Sequence, residues 1–596
     1  MPMDSILRVN MSDLSVKKEP IPGKWAKYAG RALTDAVVFD EVPPNADPLG
    51  PGNKLVIAPG LFGGTTAPNG GRLSFGAKSP LTGGIKESNA GGQMSHAMAR
   101  MGVAALIVEG APAEAGALYV LKLDETGSGS LMRADELAGL GNYDTATALL
   151  AKAGDEKIVT VTNGPAGEKL LKASGIAVSD VKGLPNRFAG RGGLGAVMGS
   201  KGLKAIVAPL GRGSLDHADK DAFNTAVKKF AAALKEHPVS GQGLPTYGTN
   251  VLVNIINEAG GFPTRNFSEG RFELVEGISG ETMHEIGEAR GADMGHGCHT
   301  GCVIRCSRYY NAPDGTYVTK GPEYESAWSL GADCGIGDMD AVALLDRECS
   351  DQGLDTIEMG CALAVYMDAG KLAFGDAAGA LAALKTIRTG EGDGPLLGQG
   401  TEAVGLAFGV KNIPVVKHQS LPAYDPRPIQ GIGVTYATTT QGADHTAGYS
   451  ITSNVLGVGG TVDPLKTEGQ AALSQGLQIA TAMLDSFGLC IFVAFPVLDI
   501  PAAFEAIYEM AAAHTGQPWD ADMLMKLGRE TLTMERLYNE GAGFTAADDR
   551  LPAFFLNEKL APHDVVFTVT DAELDSVFDF VADTAADMGI SVPKLA

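Results

Sequence analysis

The stretch RFAGRGGLGAVMGSKGLKAI, residues 187–206, decides how the N-terminal third is read. It runs into the β-branched segment KAIVAPL, which has the length and composition of a strand. Gly190, Gly192 and Gly195 match the pattern GxGxxG, a weak signal alone. A dinucleotide site also needs an acid roughly 20 residues on, closing a βαβ unit, and the strand-like stretch that follows, LKAIVAPLG, is not acidic. What the stretch does offer is glycine-permitted backbone N–H groups beside Arg187, Arg191, Lys201 and Lys204, which suits a phosphorylated ligand. The bland alternative is a tight glycine-rich turn between strands.

Outward from this stretch, the segments ILRVNMSD, KLVIAPG, ALIVEG, LYVLKL and IVTVTNG read as further short strands between Gly/Pro turns. A second basic, glycine-rich segment spans Asn69 to Gly92 and joins Arg72 and Lys78 to Asn89. GRGSLDHADK then reads as a polar hinge. DAFNTAVKKFAAALKEH and PAAFEAIYEMAAAH carry apolar residues at helical steps, and a Pro-rich boundary lies near Asn412–Pro428. The expectation is an α+β chain. A β-rich domain over 1–208 precedes two mainly α-helical domains, over 209–415 and 416–596.

The formal charge of −23 disfavours nucleic acid as a partner. No signal-peptide-like run opens the chain and no apolar stretch of ~18 residues occurs, so a cytoplasmic protein without membrane insertion is expected. Seven cysteines in 596 residues are no disulfide scaffold. Cys298, Cys302 and Cys306 form CHTGCVIRC, and Cys490 follows far downstream in DSFGLC. One loop supplying three thiolates, with a fourth from elsewhere, suits a [4Fe–4S] cubane. Zinc usually takes two CxxC-like pairs instead, and three cysteines four apart also suit one buried helix face. Cys334, Cys349 and Cys361 read as small core residues.

RFAGRGGLGAVMGSKGLKAI, AKSPLTGG with SNAGG, KGPEYES, GLDTIE, GADH and DSFGLC occur in an order that resembles the tungsten-containing aldehyde:ferredoxin oxidoreductases. The likeness runs from VNMSDLSV to at least Cys490. It implies a tungsten (or molybdenum) bis-pyranopterin centre, phosphates bridged by Mg²⁺, and an adjacent [4Fe–4S] cluster on Cys298, Cys302, Cys306 and Cys490. The first domain is then a pterin-binding domain. Arg72, Asn89, Gly91, Arg187, Phe188, Gly190 and Arg191 are its expected cofactor contacts, with Asn89 and Phe188 offering backbone carbonyls to Mg²⁺. Leu354, Asp355, Asp485 and Leu489 are the contacts expected from the later domains, and Glu325 and His445 the catalytic side chains beside the metal.

The chain departs from the family at CxxxC in place of CxxC, at Ser350 in place of an acidic or amide residue, and in KHQSLPAYDPR, which lacks the usual Glu. The only ExxH, Glu281 to His284, precedes the cysteines and reads as a solvated helix face.

The implied reaction is aldehyde plus water to carboxylate, releasing two electrons to a ferredoxin or a dedicated iron–sulfur subunit, in a homo- or hetero-oligomer or neither. Glu325 is placed to take a proton from attacking water, and His445 to hydrogen-bond the carbonyl oxygen. The competing readings are reduction of an aromatic acyl thioester on the same scaffold, a non-catalytic iron–sulfur electron-transfer subunit, and a dinucleotide-binding module.

Overall fold

A computed structural model describes residues 3–154, 156–211 and 215–590. The polar hinge read at residues 211–220 lies partly outside them, at 212–214.

Twelve strands form two six-stranded sheets. The first contains β1 (Ser5–Asn10), β2 (Ser15–Pro20), β3 (Leu55–Pro59), β4 (Leu73–Lys78), β5 (Ile85–Ala90) and β6 (Val103–Glu109), in the order β2-β1-β6-β3-β4-β5. The second contains β7 (Tyr119–Leu123), β8 (Gly129–Arg133), β9 (Ile158–Asn163), β10 (Ile176–Val178), β11 (Arg187–Ala189) and β12 (Leu203–Pro209), in the order β11-β10-β9-β12-β7-β8. All pairings are antiparallel except β1 with β6 and β7 with β12.

Strand alternation distributes the apolar residues between cores. Leu55 and Ile57 of β3 share one buried core with Leu121, Val159, Val161 and Val178 of the second sheet. Their neighbours Val56 and Ala58 face the other way, into a core with helix Gly30–Glu41 through Leu33 and Val37. Each fully buried Val, Leu or Ile contributes roughly 1.5–3 kcal/mol, so both faces of this sheet are strongly specified.

The helical remainder contributes to two large cores, one of them shared with the first sheet. Leu252, Trp328, Cys349, Leu363 and Leu384 pack with Tyr424, Ile432, Phe555 and Phe567. Phe223 and Phe230 of helix Lys220–Glu236 pack instead with Ile507 and Met510 of helix Pro501–Thr515, beside Phe487. The segment before Cys490 is fastened to the first sheet by backbone: Leu61 N donates to Ser486 O at 3.2 Å, Phe62 N to Phe487 O at 3.0 Å and Arg72 N to Gly488 O at 3.0 Å. Gly60 makes this approach possible, because a Cβ there would stand 2.1 Å from Gly488 N.

The two glycine-rich segments are less loop-like than their composition suggests. Half of 69–92 is the β4–β5 pair, and 187–189 is β11.

Candidate active site

β5 and β11 are the edge strands of their sheets and lie against each other. Together they floor a cavity of about 340 Å³. From the first domain it is lined by Arg72, Asn89, Gly91, Arg187, Phe188, Gly190 and Arg191. Glu325, Leu354, Asp355, His445, Asp485 and Cys490 complete it from later in the chain. Of the expected cofactor contacts only Leu489 does not line the cavity; it is fully buried in the helical core beside Phe487.

Three guanidiniums, those of Arg187 and Arg191 buried and that of Arg72 partly so, hold the floor in place. Arg72 donates to Asn89 twice, through Nε to Oδ1 and through Nη2 to the backbone oxygen at 3.1 Å. Arg187 Nη1 donates to Ser307 Oγ at 2.9 Å and to Glu323 Oε1 at 3.3 Å. Arg191 reaches across to Asp355 Oδ2 at 3.1 Å, Ala443 O at 2.8 Å and Ser420 O at 2.8 Å. Asp355 also caps helix Thr356–Asp368 by accepting from Ile357 N at 2.9 Å. Burial alone would lower the pKa of each guanidinium, but nearby acids and thiols overcome it and all three remain firmly charged.

The other basic residues of the glycine-rich segments belong elsewhere. Lys201 Nζ donates to Gly50 O at 2.9 Å, Lys204 Nζ to Leu140 O at 2.8 Å, and Lys78 Nζ to Pro44 O. None of the three lines the cavity. Their ammonium groups satisfy buried carbonyls between strands and loops, which composition alone does not reveal. Nor do the glycines act as one phosphate loop. Gly192 and Gly193 have φ +82 and +75, and a Cβ on Gly192 would meet Lys86 Cγ at 2.5 Å. Gly190 is different: a Cβ there would find only Asp355 Oδ1, at 4.0 Å, so open space stands above it.

Lys86 and Arg31 also line the cavity and carried no motif. Lys86 Nζ lies 3.5 Å from Asp444 Oδ2, and Arg31 Nη1 donates to Asp485 Oδ2 at 3.2 Å. At the position where the family carries an acid or amide, the Ser350 hydroxyl is buried without a partner.

At the other wall, Glu325 Oε2 accepts from Ala423 N at 3.1 Å, and Oε1 stands 3.3 Å from His445 Nε2. That distance alone would suggest an ion pair. Burial argues otherwise: it pushes Glu325 up to about 8 and His445 down to about 4. Between these values the pair is a neutral acid beside a neutral imidazole. Tyr424 and Tyr449 flank His445, each ring centroid 6.0 Å away, and share a hydroxyl hydrogen bond of 2.7 Å.

The cysteine loop abuts the cavity where a Cβ on Gly91 would lie 3.1 Å from Cys298 Sγ. The ligand atoms of Cys298, His299 and Cys302 fall within 4.8 Å of one another. The Cys302 thiol donates toward Cys298, lowering the Cys298 pKa and raising that of Cys302, while His299, Arg187 and Arg72 add to the lowering at Cys298. Burial pushes Cys306 up, with Cys490 and Cys298 adding to it, and burial pushes Cys490 up to about 11. Cys334, Cys349 and Cys361 are fully buried in the helical core, away from this group. Asn69 joins the cysteine loop to Cys490; its only sequence signal was an asparagine opening the glycine-rich segment NGG.

A large anionic ligand fits these residues. Arg187, which lines the cavity, has its Nε buried without a partner, Gly190 leaves room, and Cys298 and Cys490 act on the charge of Arg72. A cysteine group able to hold a metal beside an arginine-lined cavity is an arrangement that suits an oxidoreductase. Comparison with known proteins identifies the family. The profile "Aldehyde ferredoxin oxidoreductase, N-terminal domain" matches residues 6–209, and "Aldehyde ferredoxin oxidoreductase, domains 2 & 3" matches residues 225–579. The tungsten-containing aldehyde ferredoxin oxidoreductase of Pyrococcus furiosus is 35% identical over 573 residues, 93% of this chain and 91% of the relative. That of Thermococcus kodakarensis is 36% identical with the same coverage. The chain belongs to the aldehyde ferredoxin oxidoreductase family. A more distant likeness is to the P. furiosus aliphatic sulfonate oxidoreductase, WOR-like subunit, 25% identical over 86% of this chain and 81% of the relative. Among solved structures, the active site complex BamBC of benzoyl coenzyme A reductase shares the fold, with a TM-score of 0.81 at 18% identity over 99% of this chain and 97% of that one.

Proposed function

We propose that this enzyme oxidises aldehydes to carboxylic acids at a tungsten (or molybdenum) bis-pyranopterin centre. Two electrons and two protons leave for each aldehyde and water consumed, the electrons passing through a [4Fe–4S] cluster to a ferredoxin or a dedicated iron–sulfur subunit. The observation that carries this reading is the placement of the Cys298–Cys306 loop and Cys490 against the same cavity that holds Glu325 and His445. The 35–36% identical relatives, tungsten-containing aldehyde ferredoxin oxidoreductases, support the metal, the aldehyde and the ferredoxin.

In this reading residues 1–208 are the pterin-binding domain. Arg72, Asn89, Gly91, Arg187, Phe188, Gly190 and Arg191 would hold the pterins and their phosphates with Leu354, Asp355 and Asp485, and Asn89 and Phe188 would offer backbone carbonyls to Mg²⁺. Once bound, the pterin-held metal supplies a Lewis acid and an acceptor of two electrons. The chain's own residues handle position and protons. Ionised Glu325 takes the proton of the attacking water, the Ala423 N–H holding its second oxygen in place. Neutral His445 turns an N–H toward the developing oxyanion. Tyr424, Tyr449 and Phe495 line that wall, so an apolar aldehyde side chain is the best match.

No helix of the described residues is long and apolar enough to cross a membrane. The reading of an acyl-thioester reductase rests on fold likeness alone. The test is aldehyde oxidation with a viologen acceptor, normalised to bound metal. Metal-loaded protein that turns over no aldehyde contradicts the proposal.

A further inference from the structure

Every polar group of Asn69 is spent on the two cysteine segments. Its backbone N–H donates to Gly301 O at 3.1 Å, and its backbone oxygen accepts from Cys490 N at 3.0 Å. Its side-chain Oδ1 accepts from Val303 N at 3.0 Å, and Nδ2 donates to Cys302 Sγ at 3.5 Å. The amide orientation is fixed by chemistry: Val303 N can only donate, so the oxygen faces it and the NH₂ faces the sulfur. The residue is 1% exposed and holds φ +59, a left-handed conformation that asparagine tolerates better than most residues. Cys302 Sγ receives one other N–H, from Arg305 at 3.4 Å.

We infer that Asn69 is a positioning residue of the iron–sulfur site, joining the fourth cysteine to the loop of three and raising the reduction potential of the cluster through its N–H on Cys302 Sγ. This rests on the reading of the four cysteines as a [4Fe–4S] site. Reduction adds negative charge shared by the thiolate sulfurs, so an N–H dipole aimed at one of them favours the reduced form. The backbone half of the arrangement sets where Cys490 stands relative to Cys302. The side-chain half acts on charge.

Two substitutions separate these halves. Asn69→Gly accepts the left-handed backbone at no cost and keeps the main-chain bonds to Gly301 and Cys490, but removes the N–H on Cys302 Sγ together with the acceptor for Val303 N. Asn69→Asp keeps the acceptor for Val303 N and replaces the donor with a negative charge. The measurement is an EPR-monitored redox titration of the purified holoenzyme, with iron content determined alongside. The expected result is about four iron atoms per chain in all three proteins. The potential should fall in Asn69→Gly by about tenfold in the one-electron equilibrium, ~59 mV, and fall further in Asn69→Asp. Unchanged potentials with full iron would overturn the inference, and so would a shift confined to Asn69→Asp, which charge alone explains. Loss of iron from both variants with intact far-UV circular dichroism would overturn the tuning role as well. A wild-type enzyme with no four-iron cluster would overturn the underlying reading, an outcome distinct from all of these.

Discussion

Glu325 Oε1 stands 3.3 Å from His445 Nε2, 120 residues apart in the chain, and the two side chains are driven in opposite directions by the same burial. Desolvation disfavours the charged form of each, raising the acid to about 8 and lowering the imidazole to about 4. A proton shared by this pair therefore rests on the carboxyl at neutral pH.

This fixes the sign of a pH dependence. Glu325 can accept a proton only when ionised, and a raised carboxyl pKa makes the ionised fraction grow as pH rises. We expect kcat/KM for aldehyde oxidation to increase about tenfold per pH unit below the transition and to level off near pH 8. A rate independent of pH from 6 to 9 would show that Glu325 is not the base.

Substitution tests the same pair without titration. Glu325→Gln keeps the shape and the acceptor for Ala423 N, but cannot take up a proton. Turnover should fall by roughly 10²–10⁴. His445→Asn should cost roughly 10²–10³ through weaker stabilisation of the oxyanion. Neither residue touches the arginines of the floor, so metal content should hold. Near-wild-type rates per bound metal would make both side chains structural.

The cysteines divide by surroundings. Replacing Cys298, Cys302, Cys306 or Cys490 with alanine should each remove the EPR signal of a reduced four-iron cluster. Cys361, buried with its Sγ toward Leu421 O at 3.6 Å, should behave as a core residue. Its alanine variant should keep the signal and lose about 1 kcal/mol of stability. A normal signal in Cys490→Ala would mean that the fourth ligand lies elsewhere.

Arg191 links β11's flank to the helical region through Asp355, with Glu358 Oε2 at 3.5 Å. Arg191→Ala removes the cation facing two buried carboxyls, which keep only their hydrogen bonds to Ile357 N, Thr401 N and Ser420, a loss of about 3 kcal/mol. Urea unfolding of the cofactor-free protein should show it, and Arg191→Lys should recover only part, since an ammonium cannot span the guanidinium's fork of acceptors. Equal midpoints for wild type and alanine variant would remove Arg191 from the account.

Strands such as β3 and β9 were legible in the sequence because both faces are buried in protein, leaving runs like LVIAP and IVTVTN. β5 was not. Its sequence IKESNA looks like a surface turn, yet it is almost wholly buried, because Lys86, Glu87 and Asn89 face the cavity and not an apolar core. A strand that faces a cofactor site loses the hydrophobic alternation that identifies strands. The cysteine grouping, Cys490 included, was read from the cysteines themselves, and resemblance to the family supplied Glu325 and His445. The roles of Lys86 and Asn69 depend on long-range partners, Asp444 for one and the Cys302 and Cys490 segments for the other, which no local pattern records. Lys201 and Lys204 misled for the same reason: their charge suggested phosphate, and their partners proved to be Gly50, Leu140 and Glu168.

The most direct test of the account is elemental analysis of the purified enzyme alongside its aldehyde-oxidising activity. We expect about one tungsten or molybdenum, two pterins and four cluster irons per chain, with activity rising in proportion to the tungsten or molybdenum bound. Full activity in protein that contains its iron but neither tungsten nor molybdenum would contradict it.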